Sequence, residues 1–353
     1  MSKTVCIYHS LDLDGWMSAA IVKHWWLTNI SSNEKAIGEL VIANDAIQDY
    51  VAKEPIYKDT HNLWFIGYNH GQPIPDLSKY DMVIMCDISF SKEEMQNLIL
   101  WLGKNFIWID HHISAISAIK NPIWIVDVSL NIEGMQDTKF AACELTWKYL
   151  FPNEIMPEIV KLLGRYDCFG SRGTDEELKV LEFQYGARQC ISNYEEAFKY
   201  LKNDILDSED GISILNEESI IGGIWDSGKS IYQFLCTDAK QSYKNGFVIA
   251  LPYKHDYHGG MQPATPSNKV NFICINKERF NPINFGIDYH LEDYDGAACF
   301  HITKEGKVAF SLYNDNGFVD CSVIAKQFGG GGHKGAAGFI CDLETFKQII
   351  NSR

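Results

Sequence analysis

The chain has 353 residues, 46% of them hydrophobic and 22% charged, an ordinary globular composition that excludes a disordered or fibrous chain and leaves room for two cored domains. With 46 acidic against 31 basic residues the formal net charge is −15; no basic stripe for gripping long nucleic acid is evident, which favours a short substrate over a polymer. No apolar run approaches the ~20 residues of a membrane span, the N-terminus lacks a signal-peptide pattern, and ten scattered cysteines without a C-x-x-C pair argue for reduced thiols in a cytoplasm and against structural zinc.

In chain order, Thr4–His9 is a short apolar run and the next stretch sets Met17, Ala20, Ile21, His24 and Trp25 on one helical face. Leu40–Asn44, Leu63–Gly67, Asp81–Cys86 and Phe106–Ile109 are further strand-like runs, with a helix over Ser91–Leu102 whose first turn carries Glu93 and Glu94. This alternation predicts an α/β fold whose N-terminal part is a mostly parallel sheet flanked by helices. From Asp137 to about Tyr243 the chain reads as largely helical, clearest over Phe140–Phe151 and Ile155–Leu163. Phe247–Leu251, Val270–Ile275, Gly296–Ile302 and Lys307–Leu312 then read as strands, followed by a helix over Ser322–Phe328, which predicts a smaller C-terminal α/β domain. The expected division is a first domain over 1–210, a helical connector over 211–244 and a second domain over 245–353. The Gly- and Pro-bearing stretch His255–Lys269 is expected to be an exposed, mobile loop.

Three acidic or histidine clusters follow predicted strands, the place where parallel sheets bind ligands, and a fourth follows a helix. His9-Ser10-Leu11-Asp12-Leu13-Asp14-Gly15 offers an imidazole and two alternating carboxylates in one tight loop; alone, D-x-D-G is also a common turn. Cys86-Asp87-Ile88-Ser89 places one Asp after an apolar run, where a helix cap is the plain alternative. Trp108-Ile109-Asp110-His111-His112 sets two adjacent histidines that point different ways, so one is a candidate ligand and its neighbour faces elsewhere. Gly164-Arg165-Tyr166-Asp167 is weak by itself. Together they form a histidine and carboxylate set without cysteine, which suits Mn²⁺, Mg²⁺ or a similar divalent ion.

These pieces, in order, resemble the motifs of the DHH superfamily of phosphoesterases: H-x-x-D-x-D-G at 9–15, D-x-S at 87–89, D-H-H at 110–112 and the isolated Asp167. The Gly-Gly-Gly-Gly-His run at 329–333, followed by Lys334-Gly335-Ala336-Ala337-Gly338-Phe339, resembles the substrate loop of the associated DHHA1-type domain. Within the superfamily the motifs look most like the branch of nano-RNase B and cyclic-nucleotide phosphodiesterases. The resemblance implies two divalent ions, Mn²⁺ first with Mg²⁺ or Co²⁺ as alternatives, one held by His9, Asp12 and Asp87 and the other by Asp14, Asp87, His111 and Asp167. It implies that Asp87 bridges, that His112 faces the substrate phosphate and that Asp110 orients the histidine pair. It also implies substrate contacts from Gly330, Gly331, Gly332, His333 and Lys334. One departure stands out: where such domains commonly carry an arginine, this chain reads Ser311-Leu312-Tyr313-Asn314, so Tyr313 cannot supply a bidentate cation and Arg165 or Lys334 is the substitute candidate.

The implied activity is hydrolysis of phosphodiesters in short oligonucleotides or linear and cyclic dinucleotides. An inorganic pyrophosphatase or nucleotide 3′-phosphatase is the alternative, and a non-catalytic nucleotide sensor is the reading from another class. Expected partners are a small nucleotide or short oligonucleotide, with no membrane; the sequence is silent on oligomeric state.

Overall fold

The computed structural model describes residues 3–29, 57–59, 62–120, 132–168, 170–171, 173–203, 206–208, 211–214, 216–253, 269–278, 293–314, 318–332 and 334–352. Two compact units emerge, Met1–Ile231 and Tyr232–Arg353.

The first unit opens with β1 (Thr4–His9), α1 (Leu13–Asn29), β2 (Tyr57–Asp59), β3 (Leu63–Tyr68) and β4 (Met82–Cys86). It continues with α2 (Lys92–Leu102), β5 (Phe106–Asp110), α3 (Ile113–Lys120) and β6 (Glu133–Gln136). Helices α4 (Ala142–Leu150), α5 (Glu158–Asp167), α6 (Glu177–Cys190) and α7 (Tyr194–Leu201) follow, then strands β7 (Leu206–Ser208) and β8 (Gly211–Ile214) and the long α8 (Glu217–Tyr243). The main sheet runs β2-β3-β1-β4-β5-β6. Five of its strands are parallel and β2 alone runs against β3. The chain passes from β1 to β3 on one side and then to β4 on the other, so the crevice at the carboxyl ends of β1 and β4 is the switch point where such sheets take ligands.

Alternation along the strands sorts the core. Cys6 and Tyr8 of β1 face one apolar cluster with α1, α4, α5 and α7, while Val5 and Ile7 face the other with Met95, Leu98 and Ile99 of α2. Side chains such as Trp108, Phe65 and Ile84 are fully buried, each stabilising the unit by roughly 1.5–3 kcal/mol or more. α1 shows no single apolar face: Ser18, Ala19, Val22, Lys23 and Trp26 are buried along with Met17, Ala20 and Ile21. Ser91 caps α2 as its position suggests, accepting the Glu94 N–H.

Two features go beyond the sequence reading. The stretch 137–243 is not wholly helical, because β7 and β8 pair as a small antiparallel sheet; the Asp210-Gly211 dipeptide is a hairpin signal that helical periodicity overrode. β6 has no apolar run to announce it. It fits against β5 because Gly134 has φ 116° and a Cβ there would stand 2.0 Å from the Trp108 carbonyl oxygen. The run Leu40–Asn44 and most of the His255–Lys269 loop lie outside the described residues.

The second unit contains the end of α8, then β9 (Phe247–Pro252), β10 (Lys269–Asn276), β11 (Gly296–Ile302), β12 (Val308–Tyr313), α9 (Cys321–Gln327), β13 (Gly331–Gly332), β14 (Ala336–Cys341) and α10 (Leu343–Ile350). Its sheet runs β13-β14-β12-β11-β10-β9, with only β10 and β11 parallel. One face packs Phe272, Phe300, Phe310 and Phe339 against α9 and α10, and the other packs Ile273, Ile275, Ala297 and Cys299 against Ala239 and Tyr243 of α8. The small-residue run after the glycines, read as a loop, is β14: Ala337, Phe339 and Cys341 alternate inward, a strand period that the glycines and alanines between them conceal. Among the described residues, no helix is long and apolar enough to cross a membrane.

Candidate metal centre

The acidic and histidine clusters meet at the carboxyl ends of β1, β4 and β5. His9 ends β1, and Asp12 and Asp14 flank the start of α1. The turn between them needs Gly15, since a Cβ there would lie 1.9 Å from the His9 carbonyl oxygen. Asp87 follows β4 at φ 61°, a left-handed conformation that short polar side chains tolerate and that clusters at functional sites. Asp110 ends β5, His111 and His112 lead into α3, and Asp167 is the last residue of α5.

His9 Nδ1 lies 2.8 Å from Asp12 Oδ2 and 3.5 Å from Asp87 Oδ2. His111 Nε2 lies 3.1 Å from Asp167 Oδ2, 3.4 Å from Asp87 Oδ1 and 3.7 Å from Asp14 Oδ2. The ligand atoms of His9, Asp12 and Asp87 fall within 4.8 Å of one another, and so do those of Asp14, His111 and Asp167. Asp87, 1% exposed, therefore turns one oxygen to each group. Despite these distances His9 Nδ1, His111 Nε2 and both Asp87 oxygens have no hydrogen bond of acceptable geometry. Buried polar atoms are almost always satisfied. Imidazole nitrogens and carboxylate oxygens converging without well-formed hydrogen bonds fit divalent cations, and the oxygen and imidazole donors suit hard or borderline ions.

His112 Nδ1 is also 3.8 Å from Asp87 Oδ1, yet it is committed elsewhere, 2.7 Å from Asp110 Oδ1. The same fully buried oxygen accepts the backbone N–H groups of His111, at 2.7 Å, and His112, at 3.1 Å. One carboxylate thus sets both the turn and the ring that follows it.

Asp14 is held from a direction the sequence did not announce. Its Oδ2 accepts the Ala142 N–H at 2.9 Å and its Oδ1 the Cys143 N–H at 2.7 Å, both at the start of α4. Helix N-termini present unpaired N–H groups and a partial positive charge, so an anion from elsewhere in the fold can cap them. The signal available was an N-cap alanine, Ala141, where a side-chain oxygen is usual. A second unannounced contact is Asn69 Nδ2 donating to Ser10 Oγ at 3.0 Å, which ties the end of β3 to the loop after β1.

Too much negative charge sits here for its volume. Burial works against a charged His9, but the Asp12 and Asp87 carboxylates outweigh it and hold the imidazole at about 10. His111 behaves likewise, held at about 11 against burial by Asp167, Asp87 and Asp14. Burial, with Asp87 and Asp167 close by, pushes the Asp14 carboxyl well above the usual range, and burial raises Asp87 as well. Protons or cations relieve such a cluster.

Arg165, on α5, is not free beside Asp167: its Nη2 stands 3.7 Å from Glu144 Oε1. His70 is exposed just beyond β3, and its pKa is lowered by burial and by His9 and His112. In the second unit the glycines have structural work. Gly330 donates to the Ala325 carbonyl at 2.8 Å as α9 ends, and a Cβ on it would stand 2.1 Å from the Gly338 carbonyl oxygen. Gly331 and Gly332 pair with Gly338 and Ala337 as β13. Lys334 is exposed, Tyr313 ends β12 packed on the α8 side of its sheet, and His333 lies outside the described residues.

Residues 4–164 match the model of the DHH family, N-terminal domain. An uncharacterized protein R106 of Acanthamoeba polyphaga mimivirus is 23% identical over 346 residues, covering 95% of this chain and 66% of its own length. This chain thus spans just under two thirds of that relative. Among solved structures, a pGpG-specific phosphodiesterase, PggH, from Vibrio cholerae aligns at 12% identity over 99% of this chain and 96% of its own, with a TM-score of 0.48. The exonuclease RecJ bound to manganese aligns at 12% identity over 99% and 89%, with a TM-score of 0.47.

Proposed function

We propose that this chain is a two-metal phosphoesterase of the DHH superfamily that cleaves phosphodiesters in short oligonucleotides or linear and cyclic dinucleotides. The observation that carries the reading is Asp87, whose two buried, unpartnered oxygens face two separate ligand groups. His9, Asp12 and Asp87 would hold one divalent ion, and Asp14, Asp87, His111 and Asp167 the other. The resemblance puts Mn²⁺ first, with Mg²⁺ or Co²⁺ as alternatives, and the oxygen and imidazole donors are compatible with each. Such a pair, once bound, supplies an acidified water and charge neutralisation at the attacked phosphate.

The remaining work falls to this chain's own side chains. Asp110 fixes His112 through Nδ1, which leaves Nε2 as the atom to meet a phosphate or leaving-group oxygen, as a donor when it is protonated. The α4 N–H groups keep Asp14 in place without adding a competing positive side chain. In this reading the second unit is a DHHA1-like substrate domain, in which Gly330, Gly331, Gly332, His333, Lys334 and Tyr313 contact the substrate. The net charge of −15 favours short substrates. The ten free thiols fit a reducing compartment such as the cytoplasm.

The test is product analysis with Mn²⁺: labelled dinucleotide against inorganic pyrophosphate at equal concentrations. Mononucleotide release supports the proposal. Orthophosphate from pyrophosphate with no dinucleotide cleavage moves the protein to the pyrophosphatase reading, and no metal-dependent hydrolysis of either overturns the phosphodiesterase reading.

A further inference from the structure

Helix α4 starts with no capping oxygen of its own, and two carboxylates from different directions share the task. Asp14 takes the Ala142 and Cys143 N–H groups. The remaining Ala141 N–H is accepted by Glu144 Oε2 at 3.3 Å, a side chain reaching back along its own helix as in the second half of a capping box. Glu144 is only 2% exposed, and a buried carboxylate is costly unless it is paired and hydrogen-bonded.

Its pairing leads to the other side of the cluster. Glu144 Oε1 faces Arg165 Nη2 at 3.7 Å, two residues before Asp167. α5 comes this close because residue 164 is glycine: a Cβ there would sit 2.5 Å from Glu144 Cγ and 2.8 Å from Oε2. One carboxylate thus touches the start of α4, which grips Asp14, and the end of α5, which carries Asp167. His9 and Asp12 are placed independently, at the end of β1 and by the Gly15 N–H donating to Asp12 Oδ1 at 3.0 Å.

We propose that Glu144 is a positioning residue for one ion of the pair, holding Asp14 and Asp167 on either side of His111, at 3.7 and 3.1 Å from its Nε2, while leaving the His9, Asp12 and Asp87 group untouched. The claim rests on the two-ion reading above and adds a selectivity that the reading does not require. A residue that merely stabilised the helix would lower the melting temperature and leave ion affinities alone. One that acts on the ligands changes one binding step; outer contacts of this sort are typically worth about 10–100-fold in metal affinity.

The test is Mn²⁺ titration of the full chain by calorimetry, with electron paramagnetic resonance counting bound ions. Asp14→Asn identifies which step belongs to the Asp14 group. The wild type is expected to take two ions. Glu144→Ala should weaken the Asp14-linked step by about 10–100-fold and leave the other within twofold, and Glu144→Gln should recover only part of the loss, because its amide oxygen can still accept the Ala141 N–H but no charge faces Arg165. Gly164→Ala keeps the carboxylate but displaces it, since the atoms it meets belong to a flexible side chain, and should reproduce the Glu144→Ala loss; it decides the matter where Glu144→Ala does not fold. Unchanged affinities in both variants, or equal weakening of both steps, overturn the proposal while leaving two-ion binding intact. A wild type that binds fewer than two ions sinks the two-ion reading first, and this one with it.

Discussion

Asp110 Oδ1 stands 2.7 Å from His112 Nδ1 while also accepting the two backbone N–H groups of the His111-His112 turn. Asp110 is the largest influence raising the His112 pKa, ahead of the opposing effect of burial. Asp110→Asn keeps an acceptor for the backbone but removes the charge, so the His112 pKa falls. If protonated His112 serves the reaction, the alkaline limb of the pH–rate profile with dinucleotide moves to lower pH, and the rate at neutral pH drops by about 10–100-fold. An alkaline limb that stays where it was would remove His112 from the chemistry.

Asp87 is the residue whose loss neither ligand group can absorb. Asp87→Asn replaces one of its two facing oxygens with an amide nitrogen, which repels a cation. Hydrolysis should fall by at least about three orders of magnitude, equivalent to more than ~4 kcal/mol of transition-state stabilisation. Mn²⁺ calorimetry should show both binding steps weakened, in contrast to Asp14→Asn, which should spare one. Activity retained in Asp87→Asn, or in the wild type with chelator, is incompatible with the mechanism.

Three of the four clusters were legible because each directly follows an apolar run. Thr4–His9 and Phe106–Ile109 read as strands, and that places His9 and the Asp110-His111-His112 trio at the carboxyl ends of strands in a parallel sheet. What hid was structure made by backbone and by glycine. The clamp on Asp14 comes from N–H groups of residues 142 and 143, which have no side-chain signature. β6 has no apolar run, and in β14 glycines and alanines conceal the inward alternation, so hydrophobic periodicity passes over both. The reach of Arg165 to Glu144 depends on a 21-residue separation closed by tertiary packing, where sequence offered only a cation near Asp167.

Metal loading should release protons. Without ions, His9 holds its proton up to about 10 and His111 up to about 11, so at pH 8 both rings are charged and must deprotonate to become ligands. Each ion should then displace about one proton as it binds. Both pKa values lie above the ordinary 6.5, so the competition with protons is strongest at low pH, and apparent Mn²⁺ affinity climbs as pH rises toward 10. Calorimetry at pH 8 in buffers of different ionisation enthalpy reads the number directly. An observed enthalpy that does not change with the buffer would mean that these imidazoles are not the ligands.

Away from the candidate metal centre, His24 is expected to make the stability of the first unit fall in mild acid. Its ring stacks on Phe151 at 5.1 Å and Trp147 at 6.1 Å, and burial, helped by Lys202, lowers its pKa to about 4. In the unfolded chain it titrates near 6.5. Between those values the unfolded state binds the extra proton, so this contribution to stability is complete above about pH 6.5 and is lost progressively as pH falls toward 4. His24→Phe keeps an aromatic ring against Phe151 and Trp147 but cannot take up a proton. The drop in melting temperature from pH 7 to pH 5 should therefore shrink in the variant, measured with chelator present so that ion loss does not contribute. If wild type and His24→Phe lose the same number of degrees over that interval, the acid sensitivity resides in other groups.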